Sequence, residues 1–299
     1  MRFRCVFDTV LICVIWGSGF TAMKVGLRDM PTFAFVGMRF FLSAAAIGAY
    51  MRWRGIPFHF PRAHIGAVVV LSALFFAQQG VLFWGMNYTL ASRTAVILNT
   101  QPILTAVLAH FFVVGDRLTF GKIFGLCLAL VGVQALFRGD AGAGQASTLV
   151  GDLMVLCAAL SWSVQTVLTK RIIHAVRPIT LVFWESLCSC GLFFAISACI
   201  ERGKPMAFSG TFLFCLAYLV LVATAYSFVK WVDLIRHNDP SAVTSFCFVT
   251  PVAGVVIGWA VLGDPISGDI MLATAAVAAG IVCANLRLGR RGAAAARQR

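Results

Sequence analysis

Ten apolar runs, most of them about twenty residues long, limit this chain more tightly than any single motif in it. A helix needs about 20 apolar residues, at roughly 1.5 Å each, to cross about 30 Å of hydrocarbon. The runs fall near 7–26, 33–51, 65–86, 93–114, 120–137, 150–172, 180–200, 212–233, 241–262 and 268–286. Polar or helix-breaking punctuation separates them, as at Arg28-Asp29-Met30-Pro31, Gly115-Asp116-Arg117 and Gly263-Asp264-Pro265. A transmembrane barrel would read as alternating ten-residue segments, which are absent. Composition closes the soluble alternative. Hydrophobic residues make up 60% of the chain and charged residues 12%, against about 25% charged in soluble domains. Mean hydropathy is +0.91. The expected fold class is all-α integral membrane, with ten transmembrane helices.

An even number of spans puts both termini on one side. Most of the 24 Lys and Arg residues fall on that side, among them Arg52, Arg54, Arg62, Arg117, Lys122 and the tail from Arg287 to Arg299. Basic residues favour cytoplasmic loops, so both termini are expected in the cytoplasm of a multi-pass inner-membrane protein. The net charge of +13 then needs no nucleic acid partner, and the basic tail suits anionic lipid headgroups. Arg2 and Arg4 precede an apolar run, as in a signal peptide. The run is long and lacks an evident small-residue cleavage site, so it reads as a retained first span. Ten cysteines are scattered mostly inside spans, and Cys188 and Cys190 form the only close pair. They read as small buried apolar residues. A monomer is compatible with the sequence.

The chain also repeats itself. Trp16 and Lys24 recur as Trp162 and Lys170 at an offset of 146; Pro31 and Trp84 recur as Pro178 and Trp231 at 147. Gly115-Asp116 and Gly132 recur as Gly263-Asp264 and Gly280 at 148, and Pro102 as Pro251 at 149. Seven matches in order, with a drift of three residues, point to duplication. The expected halves are residues 1–145 and 146–299, joined through the Gly/Ala/Ser stretch from Gly139 to Ser147. Five spans per half is an odd number, so the second half would enter the membrane inverted. Such repeats build carriers around a midplane site.

These residues resemble the EamA-type transporters of the drug/metabolite transporter superfamily. The resemblance rests on the first-span run from Trp16 to Leu27, on the stretch from Ala95 through Pro102 to Thr119, and on its counterpart from Ala242 through Pro251 to Ser267. Gly132-Val133 and Gly280-Ile281 complete the ordered set. The resemblance spans nearly the whole chain. It implies ten helices in two inverted halves, and export of amino acids, other metabolites or drugs. One departure stands out: family members usually carry Glu where this chain has Asp116 and Asp264. The charge is kept, so a loop-anchoring role is still implied.

Depth, counted from span ends, nominates the residues of a solute pathway. Trp16, Gln78, Gln79, Gln101, Pro102, Trp162, Gln165, Tyr226 and Pro251 all lie within a few residues of their span midpoints. A buried amide needs a partner or a wet cavity, since leaving it unpaired in hydrocarbon costs several kcal/mol. Gln78 and Gln79 point about 100° apart, so at least one is expected to face the pathway, with interhelical hydrogen bonding as the alternative. Trp16 and Trp162 occupy equivalent positions; either they grip an organic solute or they pack helices together. Pro102 and Pro251 each permit a kink, which is either part of a binding site or a structural bend.

Charges inside spans are few. Arg39 and Glu185 are related by the 146 offset, and Glu185 is the candidate for proton coupling, unless it is interfacial. Lys230 and Asp233 stand three apart and are expected to pair with each other. Lys24 and Lys170 are expected to snorkel from helix ends. The GxxxG spacings Gly121/Gly125 and Gly254/Gly258 predict close helix contacts.

Other function classes find little support. The five histidines make no metal-binding spacing, and neither a nucleophile elbow nor a P-loop is present. No enzyme activity, cofactor or metal is expected. A passive channel or a membrane enzyme are the alternatives, but no ring of charges suggests a filter. The expectation is a secondary transporter that moves a small organic solute by alternating access.

Overall fold

The computed structural model describes residues 3–112, 120–121, 123–125, 127–128, 131–132, 145–172, 176–237 and 245–286. Among them the secondary structure is entirely helical. Helix α1 is Phe3–Asp29 and α2 is Thr32–Trp53; a single 3-10 turn at Arg62–His64 leads into α3, Ile65–Gly85. The fourth run is split into α4, Ala91–Leu98, and α5, Gln101–Phe112. Then come α6, Gln145–Ile172, and α7, Pro178–Ile200. The eighth run is composite: α8, Gly210–Ala217, passes into a π-helical stretch, Tyr218–Tyr226, and on into α9, Ser227–His237. A 3-10 turn at Ser245–Phe248 opens α10, Val249–Leu262, and α11, Gly268–Leu286, ends the described chain.

Seven of these helical stretches are long and apolar enough to cross a membrane, and Val249–Leu262 and Gly268–Gly280 are shorter apolar helices. The outward side chains are apolar as well, including Phe111, Phe214, Val69, Met271 and Leu272. A water-facing surface could not carry so much contiguous apolar area; a lipid-facing one must. The protein is therefore a multi-pass membrane protein. Of the fifth run, 120–137, only scattered residues are described. Asp116, the expected partner of Asp264 in the repeat, lies outside the described residues, as does the basic tail from Arg287 to Arg299.

Helix starts follow local chemistry. Pro178 occupies the first turn of α7 and Pro31 caps α2, places where a missing N–H costs nothing. The N–H groups at the start of α2 are taken by an acid from a distant part of the chain: Glu201 accepts from Phe33 and Ala34, both at 3.1 Å. Asp264 likewise accepts from the Ser92 N–H at 3.1 Å, anchoring the loop that precedes α11 to the first turn of α4. The break between α4 and α5 stands at Pro102, which has no N–H for the carbonyl one turn upstream. At the same break Asn99 and Thr100 turn their side chains back on the helix, donating to the Ala95 and Ile97 carbonyls at 2.6 and 2.8 Å. Pro251 lies instead in the first turn of α10, just beyond the 3-10 turn, where it fits without a break.

Helix pairing is tight. α2 lies along α7 in antiparallel fashion, since Gly37 faces Phe193 and Phe194 while Gly48 faces Phe183. α3 lies along α6, and α1 along α10. The last of these depends on glycine: a Cβ on Gly17 would come within 2.7 Å of the Thr250 carbonyl and 2.9 Å of the Gly254 nitrogen. Gly254 itself faces Ala95, so the second GxxxG spacing does mark a close contact. A Cβ on Gly132, of the fifth run, would lie 2.8 Å from the Cβ of Ala276 on α11. The centre is filled by phenylalanine. Phe35, Phe40, Phe83, Phe193 and Phe212 are all buried in one cluster. The cysteines divide: Cys13, Cys190, Cys215 and Cys247 are buried as expected, whereas Cys157, Cys188 and Cys199 face outward, where an apolar thiol is equally at home in lipid.

Candidate functional site

The polar interior is built on α2, α3, α6 and α7. Glu185 on α7 is buried, and its Oε1 accepts a hydrogen bond from Gln165 Nε2 of α6 at 2.8 Å. One turn further along α7, Ser189 donates to the Ser72 carbonyl of α3 at 3.3 Å. Several polar atoms here have no partner among the described residues: the Oε1 atoms of Gln78, Gln79 and Gln165, and the hydroxyls of Ser43, Ser72 and Ser186. Thr21, Ser92 and Thr250 add further hydroxyls without a partner among the described residues, on α1, α4 and α10; buried polar groups nearly always find a partner, so this many orphans is unusual. An interior that opens to water or solute in another conformation would satisfy them.

Arg39 on α2 belongs to the same interior. Its side chain is 4% exposed, and its Nη2 donates to Thr224 Oγ1 in the π-helical stretch at 3.1 Å. The guanidinium carbon lies 5.2 Å from the centre of the Phe40 ring and 5.6 Å from that of Phe83. Nε and Nη1 have no acceptor among the described residues. π-helical turns are rare and recur at functional sites, and this one holds the residue that touches Arg39.

A second group gathers where α5 meets α6. Gln101 donates to Thr105 at 2.9 Å and to Thr166 at 3.3 Å. Thr166 in turn donates to the Trp162 carbonyl at 2.8 Å, and Ser163 donates to the Gln101 carbonyl at 3.1 Å. The bend at Pro102 thus places Gln101 beside Trp162 and one residue from Gln165. Five sequence-nominated residues therefore lie on α6 and on the parts of α5 and α7 that meet it: Gln101, Pro102, Trp162, Gln165 and Glu185.

Gln78 and Gln79 are buried on α3, in the polar interior already described; the remaining nominees lie elsewhere. Trp16 packs against Trp231 and Phe228 of α9, with ring centres at 4.9 and 5.9 Å, and so stands apart from Trp162. Pro251 is buried in α10, near α1. Tyr226 closes the π-helical stretch and is exposed. An apolar recess lined by Ile47, Ile179, Val182, Phe228 and Val229 touches none of the nominated residues. Among the described residues no His, Cys, Asp or Glu group could hold a metal ion.

Other charges have structural partners. Arg93 of α4 binds Asp152 of α6 through Nε at 2.9 Å and through Nη2, and Thr89 donates to the same carboxylate at 2.5 Å. Lys24 donates to the Met86 and Thr89 carbonyls, tying the end of α1 to the turn after α3 rather than snorkelling to water. Lys230 reaches across to Asp8 of α1 at 3.0 Å; the side chain of Asp233, its expected partner, lies outside the described residues, as does that of Lys170. In the sequence Arg39 stands out only as a charge inside a span. Thr224 carries no signal there at all.

Comparison with known proteins agrees with this architecture. The EamA-like transporter family matches the chain twice, over residues 4–138 and 149–286. A transporter of Bacillus subtilis, YoaV, is 25% identical over 289 residues, covering 96% of this chain and 99% of its own. A protein of Escherichia coli named "Probable amino-acid metabolite efflux pump" is 28% identical over 281 residues, covering 91% of each chain. A solved crystal structure shares the fold with a TM-score of 0.70 at 19% identity, over 97% of this chain and 99% of that one. The chain belongs to the EamA-like transporter family.

Proposed function

We propose that this protein is a secondary transporter that exports a small organic solute, of the amino-acid metabolite kind, across the cytoplasmic membrane. The name borne by the E. coli relative suggests that solute class. The observation that carries the reading is the set of orphaned polar atoms buried on α2, α3, α6 and α7. A static scaffold would gain nothing from unpaired Gln78, Gln79 and Gln165 oxygens, each of which costs free energy at membrane depth. A chamber that fills and empties would.

The transport mechanism we infer is alternating access between two inverted five-span halves, residues 1–145 and 146–299, with both termini in the cytoplasm. The double family match favours this reading, and so does the helix pairing. If each span is exchanged for the one five places on, the pairing maps onto itself. The α2–α7 pair exchanges within itself, as do the fourth and ninth spans and the fifth and tenth. The α3–α6 pair exchanges with the packing of the eighth span on α1. No ATP-binding motif is present, so a gradient of the solute or of protons supplies the energy. In this reading Gln79, Gln165, Trp162, Gln101 and the bend at Pro102 line the chamber, and Glu185 carries the proton.

Transport in proteoliposomes tests it. Gln79→Ala and Trp162→Ala should each lower the initial rate of counterflow about tenfold or more without loss of folded protein, and Glu185→Gln should abolish the response to an imposed pH gradient. Unchanged rates in both alanine variants would remove the chamber from this place.

A further inference from the structure

We propose that Arg39 is the anchor for a carboxylate on the transported solute, and that the cargo is an organic monocarboxylate with an apolar body. The inference rests on the carrier reading above. A guanidinium keeps its charge at any physiological pH, so it cannot shed the cost of burial by losing a proton. Buried arginines in membrane proteins accordingly face an acid, a backbone carbonyl or water. Arg39 has only the neutral Thr224 hydroxyl, and two of its nitrogens have no acceptor among the described residues.

The buried acids among the described residues are committed elsewhere. Glu185 holds Gln165, Asp152 holds Arg93, and Glu201 caps α2. Glu185 is also out of reach along the helix axis. Gly37 lies level with Phe193 and Phe194 in the antiparallel α2–α7 pair, which places Arg39 some seven residues, about 10 Å, from the level of Glu185. Among the described residues no acid pairs with Arg39, and the inferred partner is a group from outside the chain.

Its chemistry follows from the surroundings. A single cation among Phe40 and Phe83 balances one negative charge, whereas a phosphate dianion would ask for a second cation. A carboxylate also accepts well from a guanidinium, and the rings offer contact to an apolar body. Arg39 and Glu185 stand at equivalent places in the repeat, so opposite charges occupy matching positions on α2 and α7. A solute bearing a second, cationic group would find Glu185 on the far side of the same interior.

The test uses the purified full-length protein in detergent and three probes: phenylacetate, phenethylamine and inorganic phosphate. Phenylacetate should raise the thermal unfolding midpoint of the wild type, and phosphate should not. Arg39→Met should lose the phenylacetate shift while unfolding at the same temperature as the wild type or higher, because an unpaired charge has gone. Arg39→Lys keeps the charge but not the planar donors; it should fold and bind phenylacetate at least about tenfold more weakly. The proposal is overturned if Arg39→Met binds phenylacetate as the wild type does, if the wild type shows no shift, if phosphate shifts it as strongly, or if Arg39→Met unfolds at a lower temperature, which would make Arg39 a structural residue. Counterflow separates the two readings. Transport of phenethylamine alone would sink the carboxylate anchor and keep the carrier. An Arg39-dependent shift without transport of any solute would keep the anchor and sink the carrier.

Discussion

Two arginines are buried in this protein to almost the same extent, and they live by opposite rules. Arg93 is 5% exposed and Arg39 is 4% exposed. Arg93 is bound by Asp152, whose carboxylate also takes the Thr89 hydroxyl, so the charges and donors cancel inside one compact network between α4 and α6. Arg39 has one hydrogen bond, to a neutral hydroxyl, and two nitrogens with no acceptor among the described residues. A buried ion pair is costly to break from one side and adds little once made, whereas a buried lone cation is a standing cost that no fold would choose for stability. The Arg93 region is therefore a fastening, and the Arg39 region is a place kept ready for something absent.

This difference can be broken at several points, and the largest effect belongs to the fastening. Asp152→Ala strands Arg93 and should cost about 3–5 kcal/mol, seen as a large drop in the thermal midpoint in detergent. The double variant Arg93→Met with Asp152→Leu should recover most of that loss; failure to recover would mean that the pair does more than cancel itself. Adding a methyl to Gly17 forces apart backbones that touch and should cost about 1–3 kcal/mol by the same measurement. Glu201→Ala frees two N–H groups at the start of α2 and should cost about 1–2 kcal/mol. Ser43→Ala removes a hydroxyl with no partner among the described residues, so it should change stability by less than about 0.5 kcal/mol. A loss as large as that of Glu201→Ala would reveal a partner for Ser43 and weaken the contrast between satisfied and idle groups.

Much of the architecture is legible in the sequence because lipid imposes a simple rule. Runs of about twenty apolar residues mark the helices, and Pro31 and Pro178 mark true starts. Pro102 marks a true break; depth nominates Gln101 and Gln165, and charge inside a span nominates Glu185, which Gln165 contacts while Gln101 bonds the adjacent Thr166. Pairing across the fold is not legible. Nothing in the sequence sends Lys24 to the Met86 and Thr89 carbonyls, or Lys230 to Asp8, because such partners are chosen by packing between distant spans. Tyr226 and Thr224 show a second limit. A helical phase counted at 3.6 residues per turn fails at Tyr218–Tyr226, which is wound more widely. Each additional residue in such a stretch rotates the remainder of the helix by about 100°. Tyr226, central by depth, ends up facing outward, and Thr224 is turned toward Arg39.

The glycine contact between α1 and α10 carries a consequence for motion. At Gly17 and Gly254 the two backbones nearly touch, and Ala95 closes the third side. Gly17 faces the Thr250 carbonyl, the Gly254 nitrogen and the short Ala253 side chain there, so sliding one helix past the other would drive main chain into main chain. In the carrier reading proposed above, tilting about this crossing, rather than sliding along it, would open the interior, with the crossing as its fulcrum.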